Sequence, residues 1–468
     1  MAEELPLERL RTYLRELTPE ARALLLAELE RGAQRGDALP AGDFLLQELR
    51  AGLRQAGREA DRIGMPARLF FAPLEPFLVD DAPDRQHRGR IPRACLEPIW
   101  QWISRDLMPI EAKGYSDQIA RLLLTNDKAT SERLARAFQD QTVQRVQQAL
   151  NAVQDDAKTR QRLAAQIGTP HAFDDLRVIL GVLKARDALN VFASRLPGSI
   201  RNLADEQLDN VKALLDSPVG AHPDVFVYAL ILVMGRLVAR CQLIRLAIKA
   251  AETDQAARVA GTPYALAVTI VLEEMERMLS ALRADVKSGK FGAVAILLKD
   301  IHDAARMLRT EMDLSGDSPW ARQLATLRAD VSNLIKSQLE TVPGRVRRLL
   351  RPRKPNEITP GSALDATDVA ETEALIEFVA TCRNYASELA LNEVTMRVNS
   401  ELQNFLETGT TPLLDGLRGA EDAGRPFRLA QVDAAVRFAG KVFGPSYAAS
   451  LAKAAEVAAQ GERKAAKA

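Results

Sequence analysis

Three runs of sequence decide the fold: Val268 to Val286, VTIVLEEMERMLSALRADV; Val294 to Met312, VAILLKDIHDAARMLRTEM; and Trp320 to Leu334, WARQLATLRADVSNL. In the first, Val268, Leu272, Met275, Leu279, Leu282 and Val286 step by four and by three. The same stepping takes Val294 through Leu298, Ile301, Ala305 and Leu308 to Met312, and Trp320 through Leu324, Leu327 and Val331 to Leu334. Side chains so spaced share one helix face, and a narrow apolar stripe of this kind is buried along a seam with another helix. Short connections make the three antiparallel neighbours at shallow angles. No fixed period relates them, so a regular solenoid is not expected.

The rest of the chain agrees with an all-α, multi-helix protein. Of its 468 residues 47% are hydrophobic and 27% charged, a globular balance, and only 5% are aromatic. Alternating β-branched and polar residues are rare, so little strand is expected. The net charge of +1 disfavours nucleic acid as the main partner. Cys95, Cys241 and Cys382 are widely separated, which suits buried thiols in a reducing compartment better than a disulfide frame or a zinc site. The N-terminus carries charges and no signal-peptide apolar region. The uncharged run from Val225 to Met234 is far short of the ~20 residues that cross a bilayer.

Residues 1–63 are expected to hold two helices. One is capped by Thr18-Pro19-Glu20 and closed by Gly32; the other spans about Phe44 to Glu59. Residues 64–109 carry seven of the 23 prolines, with Phe70, Phe71, Phe77, Trp100 and Trp102. That density predicts an irregular, aromatic-rich belt with a short helix near Ile99–Asp106. The belt offers a surface suited to peptide recognition.

The main helical body is 110–342, with prolines at helix boundaries. One stripe, Val146, Leu150, Val153 and Ala157, stops at Gly168-Thr169-Pro170; the next, Phe173, Leu176, Leu180 and Leu183, stops at Pro197-Gly198. A basic, proline-rich linker is expected at 343–366. A C-terminal helical region at 367–458 opens with one long helix whose stripe shifts face near Leu389–Val394. Shorter helices follow Pro412 and Pro426, and a disordered tail covers 459–468.

Signatures of nucleotide, serine-hydrolase and zinc-protease chemistry are missing from the sequence, and His87, His171, His222 and His302 show no metal-ligand spacing. Three groups remain as candidates. Arg85, Arg88, Arg90 and Arg93 beside Asp80, Asp81 and Asp84 could clamp a phosphate or carboxylate, with Asp80 or Asp81 as base, unless these opposite charges neutralise one another on a solvated loop while the aromatics cover the helical core. Arg345, Arg347, Arg348, Arg351, Arg353 and Lys354 form a basic stretch interleaved with Val346, Leu349 and Leu350. It could lie on an anionic membrane surface, unless the acids between Glu357 and Glu373 fold back on it. His302-Asp303 has the bare outline of a phosphoacceptor, although its place next to Ile301 suits a partly exposed spectator better.

The resulting expectation is a non-catalytic helical scaffold or regulatory protein of a bacterial cytoplasm, acting through protein–protein contacts. No catalytic residue, cofactor or metal is expected, and a homo-oligomer is left open. The alternatives are an enzyme or anion-binding protein using the 80–93 segment, and peripheral membrane binding through 345–354.

Overall fold

A computed structural model describes residues 65–465 apart from 81–86, 126, 154–155, 290, 315–317, 360 and 421–423. Before residue 65 it describes only Leu25, Leu26, Glu28, Leu29, Leu45, Leu46 and Leu49. These seven are helical, but the expected helices of 1–63 otherwise lie outside the described residues, as do Asp81, Asp84 and Arg85. Helix dominates what is described. The two named strands, Leu78–Val79 and Ile91–Pro92, are two residues each and pair in parallel, Leu78 with Ile91 and Val79 with Pro92.

By its internal contacts the chain divides into Met1–Glu273 and Glu274–Ala468. In the first unit, α1 (Met65–Phe71) packs on α3 (Pro109–Leu124) and α4 (Lys128–Val153), and the short α2 (Leu96–Trp102) lies between α1 and α3 in sequence. A single helix through Ala157 is not formed. The stripe breaks at 154–156, where Asp156 caps α5 (Ala157–Ile167) by accepting the Lys158 amide at 2.9 Å. Gly168, at φ +89°, ends that helix in the left-handed conformation glycine adopts without cost. Then α6 (Ala172–Arg195) lies between α4 and α8 (Pro223–Arg236); α7 (Asp205–Leu215) packs on α8 and on α9 (Ile244–Ala251), which packs on the short α10 (Ala256–Ala260).

The belt buries most of its aromatics and exposes part of its polar residues, Arg88 and Arg93 among them. Its prolines do exclude a long helix, but the backbone compensates with α1, a 3-10 turn over Ala72–Phe77, a second at Arg93–Cys95, α2, and a π-turn over Ile103–Leu107. These short pieces aim the aromatics inward. Phe70, Phe71, Phe77 and Trp102 are buried. The Phe70 ring lies 4.9 Å from Phe71, 5.5 Å from Trp100 and 5.5 Å from Phe138, and Tyr115 stacks on Phe138 at 4.5 Å. Backbone polar groups exposed by the irregular chain are met by side chains: Gln139 donates to the Phe70 carbonyl at 2.7 Å and Tyr115 to the Pro66 carbonyl at 2.9 Å.

In the second unit the stripes of the opening runs are buried as their spacing requires. From Met275 to Val286, from Val294 to Met312, and at Leu324, Leu327 and Val331, every stripe residue is in the core. Trp320 and Leu334 are only half-buried; the third stripe drifts to Ile335 and Leu339, as a straight 3.6-residue helix must over several turns. Gln323 donates to Glu276 at 2.7 Å and Arg283 to Asp330 at 3.1 Å. The register rises together, so α11 (Ala265–Lys287) and α13 (Pro319–Leu339) run parallel, with α12 (Phe291–Glu311) between them in sequence.

The C-terminal region belongs to this same unit. Helix α12 packs on α15 (Ala366–Tyr385) and α13 on α16 (Asn392–Arg418), while α17 (Arg425–Phe443) and α18 (Pro445–Ala465) close against α16. The face shift near Leu389–Val394 is a helix break between α15 and α16, with Ala390 at φ +55°. Pro412 does not end a helix; α16 runs through it. The proline costs about 3 kcal/mol, and burial of Leu406, Leu413 and Leu417 on either side offsets that loss. Residues 343–366 begin with α14 (Val342–Leu349), packed on α15 and α16, and α18 takes in much of the 459–468 tail.

Candidate functional site

The 87–93 segment crosses the first unit as an Arg-rich turn. Gly89 occupies φ +63°, and a Cβ there would come within 2.5 Å of the Ile231 side chain, so the turn needs a glycine to lie this close to α8. The Arg90 amide closes the turn on the His87 carbonyl at 3.2 Å.

Its described arginines face the chain's own groups. Arg93 donates through Nε to Asp80 at 2.8 Å and through both terminal nitrogens to the two Glu75 oxygens at 3.3 Å. Partial burial opposes its charge, but these two carboxylates outweigh that and hold its pKa above the ordinary arginine value. Arg88 donates its backbone amide to Glu273 at 2.9 Å, with its guanidinium 3.5 Å from the same carboxylate, whose side chain is 8% exposed. Arg90 donates to the Pro76 carbonyl at 3.4 Å. Of the expected anion-binding group the structure thus unites Arg93 with Asp80, places Arg88 on a different acid, and leaves Asp81 and Arg85 outside the described residues.

The basic stretch is split. Arg345 pairs with Glu371 at 3.1 Å, Arg347 with Glu401 at 3.0 Å and Arg348 with Asp368 at 2.6 Å. The acids just downstream do fold back on it. Val346, Leu349 and Leu350 are buried, so the apolar residues that would enter a lipid surface are already in the core. Arg351, Arg353 and Lys354 are exposed and make no ion pair among the described residues.

His302 is buried rather than partly exposed, 5.2 Å from the Tyr385 ring and 3.0 Å from Asp303, which also accepts from Lys299 at 2.9 Å. Among the described residues no group of three His, Cys, Asp or Glu side chains is placed to hold a metal, and no helix is long and apolar enough to cross a membrane.

Sequence reasoning missed one buried polar site. Asp175, in the first turn of α6, is 2% exposed, and its Oδ1 has no hydrogen-bond partner among the described residues. Burial pushes its pKa up to about 6, opposed by His171, reinforced by Asp174 and eased by the Cys95 thiol. The same burial, with Asp175 beside it, pushes the Cys95 thiol well up, so Cys95 is a poor nucleophile. A signal existed. Besides Leu176, Leu180 and Leu183, the positions Asp175, Ile179, Val182 and Arg186 recur at helical spacing, and all four are buried. Helix α6 is covered on two faces, and the second carries both Asp175 and the buried Arg186, which bonds Asp140 at 2.7 Å.

No family model, curated protein or solved structure matches the chain. Its function is argued from its own geometry.

Proposed function

We propose that the chain is a non-catalytic helical scaffold or regulatory protein that works by contact with another protein. One observation carries this reading: the arginines best placed by sequence to hold an anionic substrate serve as internal ties. Arg93 bridges Glu75 and Asp80, and Arg88 covers the nearly buried Glu273. An arginine committed to two carboxylates has few donors left for a ligand, and displacing it would strand those acids. What remains for recognition is the outer surface of the helical units.

The test is chemical cross-linking in the native cell followed by quantitative mass spectrometry. One or a few proteins should be recovered in near-constant ratio to this chain. Recovery should persist in Arg93→Gln, whose loss costs a surface-exposed tie and no contact surface, about 1 kcal/mol of stability. Background proteins alone, even at low salt, overturn the reading. So does turnover of an anionic compound that Arg93→Gln abolishes.

A further inference from the structure

We propose that Arg351, Arg353 and Lys354, together with Arg428 from a helix 75 residues away, form one preorganised cationic face that docks an acidic segment of a protein partner. This deepens the contact reading above and rests on it. Three observations build the face.

The first is a division of labour. Within ten residues, Arg345, Arg347 and Arg348 are each neutralised by an acid of α15 or α16, whereas Arg351, Arg353 and Lys354 make no ion pair among the described residues. Glu357 lies near, but its carboxylate accepts the Lys354 backbone amide at 3.3 Å. Positive charge is therefore cancelled along the helix and left standing just beyond its end.

The second is rigidity. The stretch after α14 is laid along the start of α17 and pinned there. Gln431, 2% exposed, donates to the carbonyls of Leu349 and Arg351, both at 3.0 Å. Arg428 donates to the Arg353 carbonyl at 3.2 Å, and the Arg353 guanidinium sits 4.6 Å above the Phe427 ring. These bonds spend the Arg428 guanidinium on holding the backbone and leave the Arg351, Arg353 and Lys354 side chains exposed. A face whose backbone is already ordered loses less entropy on binding than a free basic linker would.

The third concerns the partner's chemistry. A lipid surface would be met by cations flanked with apolar side chains, and here Val346, Leu349 and Leu350 are buried. Single-stranded nucleic acid would want an open aromatic face, and Phe427 is buried beneath Arg353. Guanidinium and ammonium groups on a fixed frame suit carboxylates spaced along a peptide.

The probe is poly-L-glutamate, titrated against the full chain at low and moderate salt. The wild-type chain should bind at low salt and weaken as salt rises. Arg351→Glu/Lys354→Glu should bind at least about tenfold more weakly with a nearly unchanged melting temperature, since neither side chain makes an ion pair among the described residues. Failure of the wild-type chain to bind, or equal binding by the variant, overturns the proposal. Binding of phosphatidylserine vesicles without binding of polyglutamate also overturns it. Glu421 and Asp422 precede Arg425 in the sequence. A tenfold gain in Glu421→Gln/Asp422→Asn would mean that the chain's own acids fill the face, and would refute docking. If cross-linked partners persist in the charge-reversed variant, the scaffold reading stands and only this face is lost.

Discussion

The first unit should become more stable, by up to about 3 kcal/mol, as the pH is lowered from 7 towards 4. The source is Asp175, whose carboxyl is buried with an unpartnered oxygen and titrates at about 6. In the unfolded chain it would titrate near ~3.9. Between those two values the folded chain holds a proton that the unfolded chain has released, so acid favours folding. The contribution is complete below the unfolded value and is lost as pH rises through 6. Asp127, held low by the Thr130 amide, and Asp106, held low by Arg105, act in the opposite sense and at lower pH, where carboxylates begin to protonate in the unfolded chain. The measurement is the urea midpoint at pH 7, 6 and 5, followed by Trp100 and Trp102 emission in a Trp320→Phe background. The midpoint should rise with acid in the parent and stay nearly flat in Asp175→Asn. A parent midpoint that is flat or falls over this range would show that Asp175 reaches water.

Replacing Phe70 by alanine should cost about 3–5 kcal/mol, the largest loss expected of any single belt substitution. Phe70 has 0% of its surface exposed and meets three aromatic rings. Its removal opens a cavity walled by Phe71, Trp100 and Phe138, and these rings belong to three separate helices that cannot all move inward. Ile110→Ala, in the first turn of α3 and 83% exposed, serves as the control and should change stability by less than about 0.5 kcal/mol. Urea unfolding of both variants checks the pair. Equal, small effects would mean that the belt aromatics do not form a packed core.

How much was legible depended on the kind of signal. Leucine-type residues at four-and-three spacing placed the seams of the second unit almost residue by residue, because burial of one face leaves that pattern directly in the chain. The acids after Glu357 lie close enough in sequence to cover the basic stretch, and Asp368 and Glu371 do so. The belt was harder. Proline content told where a long helix could not form, but not that 3-10 and π turns would aim Phe70, Phe77 and Trp102 inward. That direction is set by contacts with Tyr115, Phe138 and Tyr228, far along the chain. Pro412 misled for the reverse reason: a local penalty was overruled by buried leucines around it. Asp175 stayed hidden because an acid at a helix start is ordinarily a solvent-facing favourable charge. The Arg428–Arg353 juxtaposition spans 75 residues and leaves no local trace.

The described parts of the 65–109 segment line the core of the first unit, with Arg88 and Arg93 as ties. Amide hydrogen exchange read by mass spectrometry tests this most directly. Peptides covering Met65–Phe77 and Ile91–Leu107 should exchange as slowly as those of Lys128–Val153, opening only when the unit unfolds. Exchange of those peptides within seconds, while the long helices stay protected, would make the segment a surface loop. It would also return its arginines to the pool of groups free to bind a ligand.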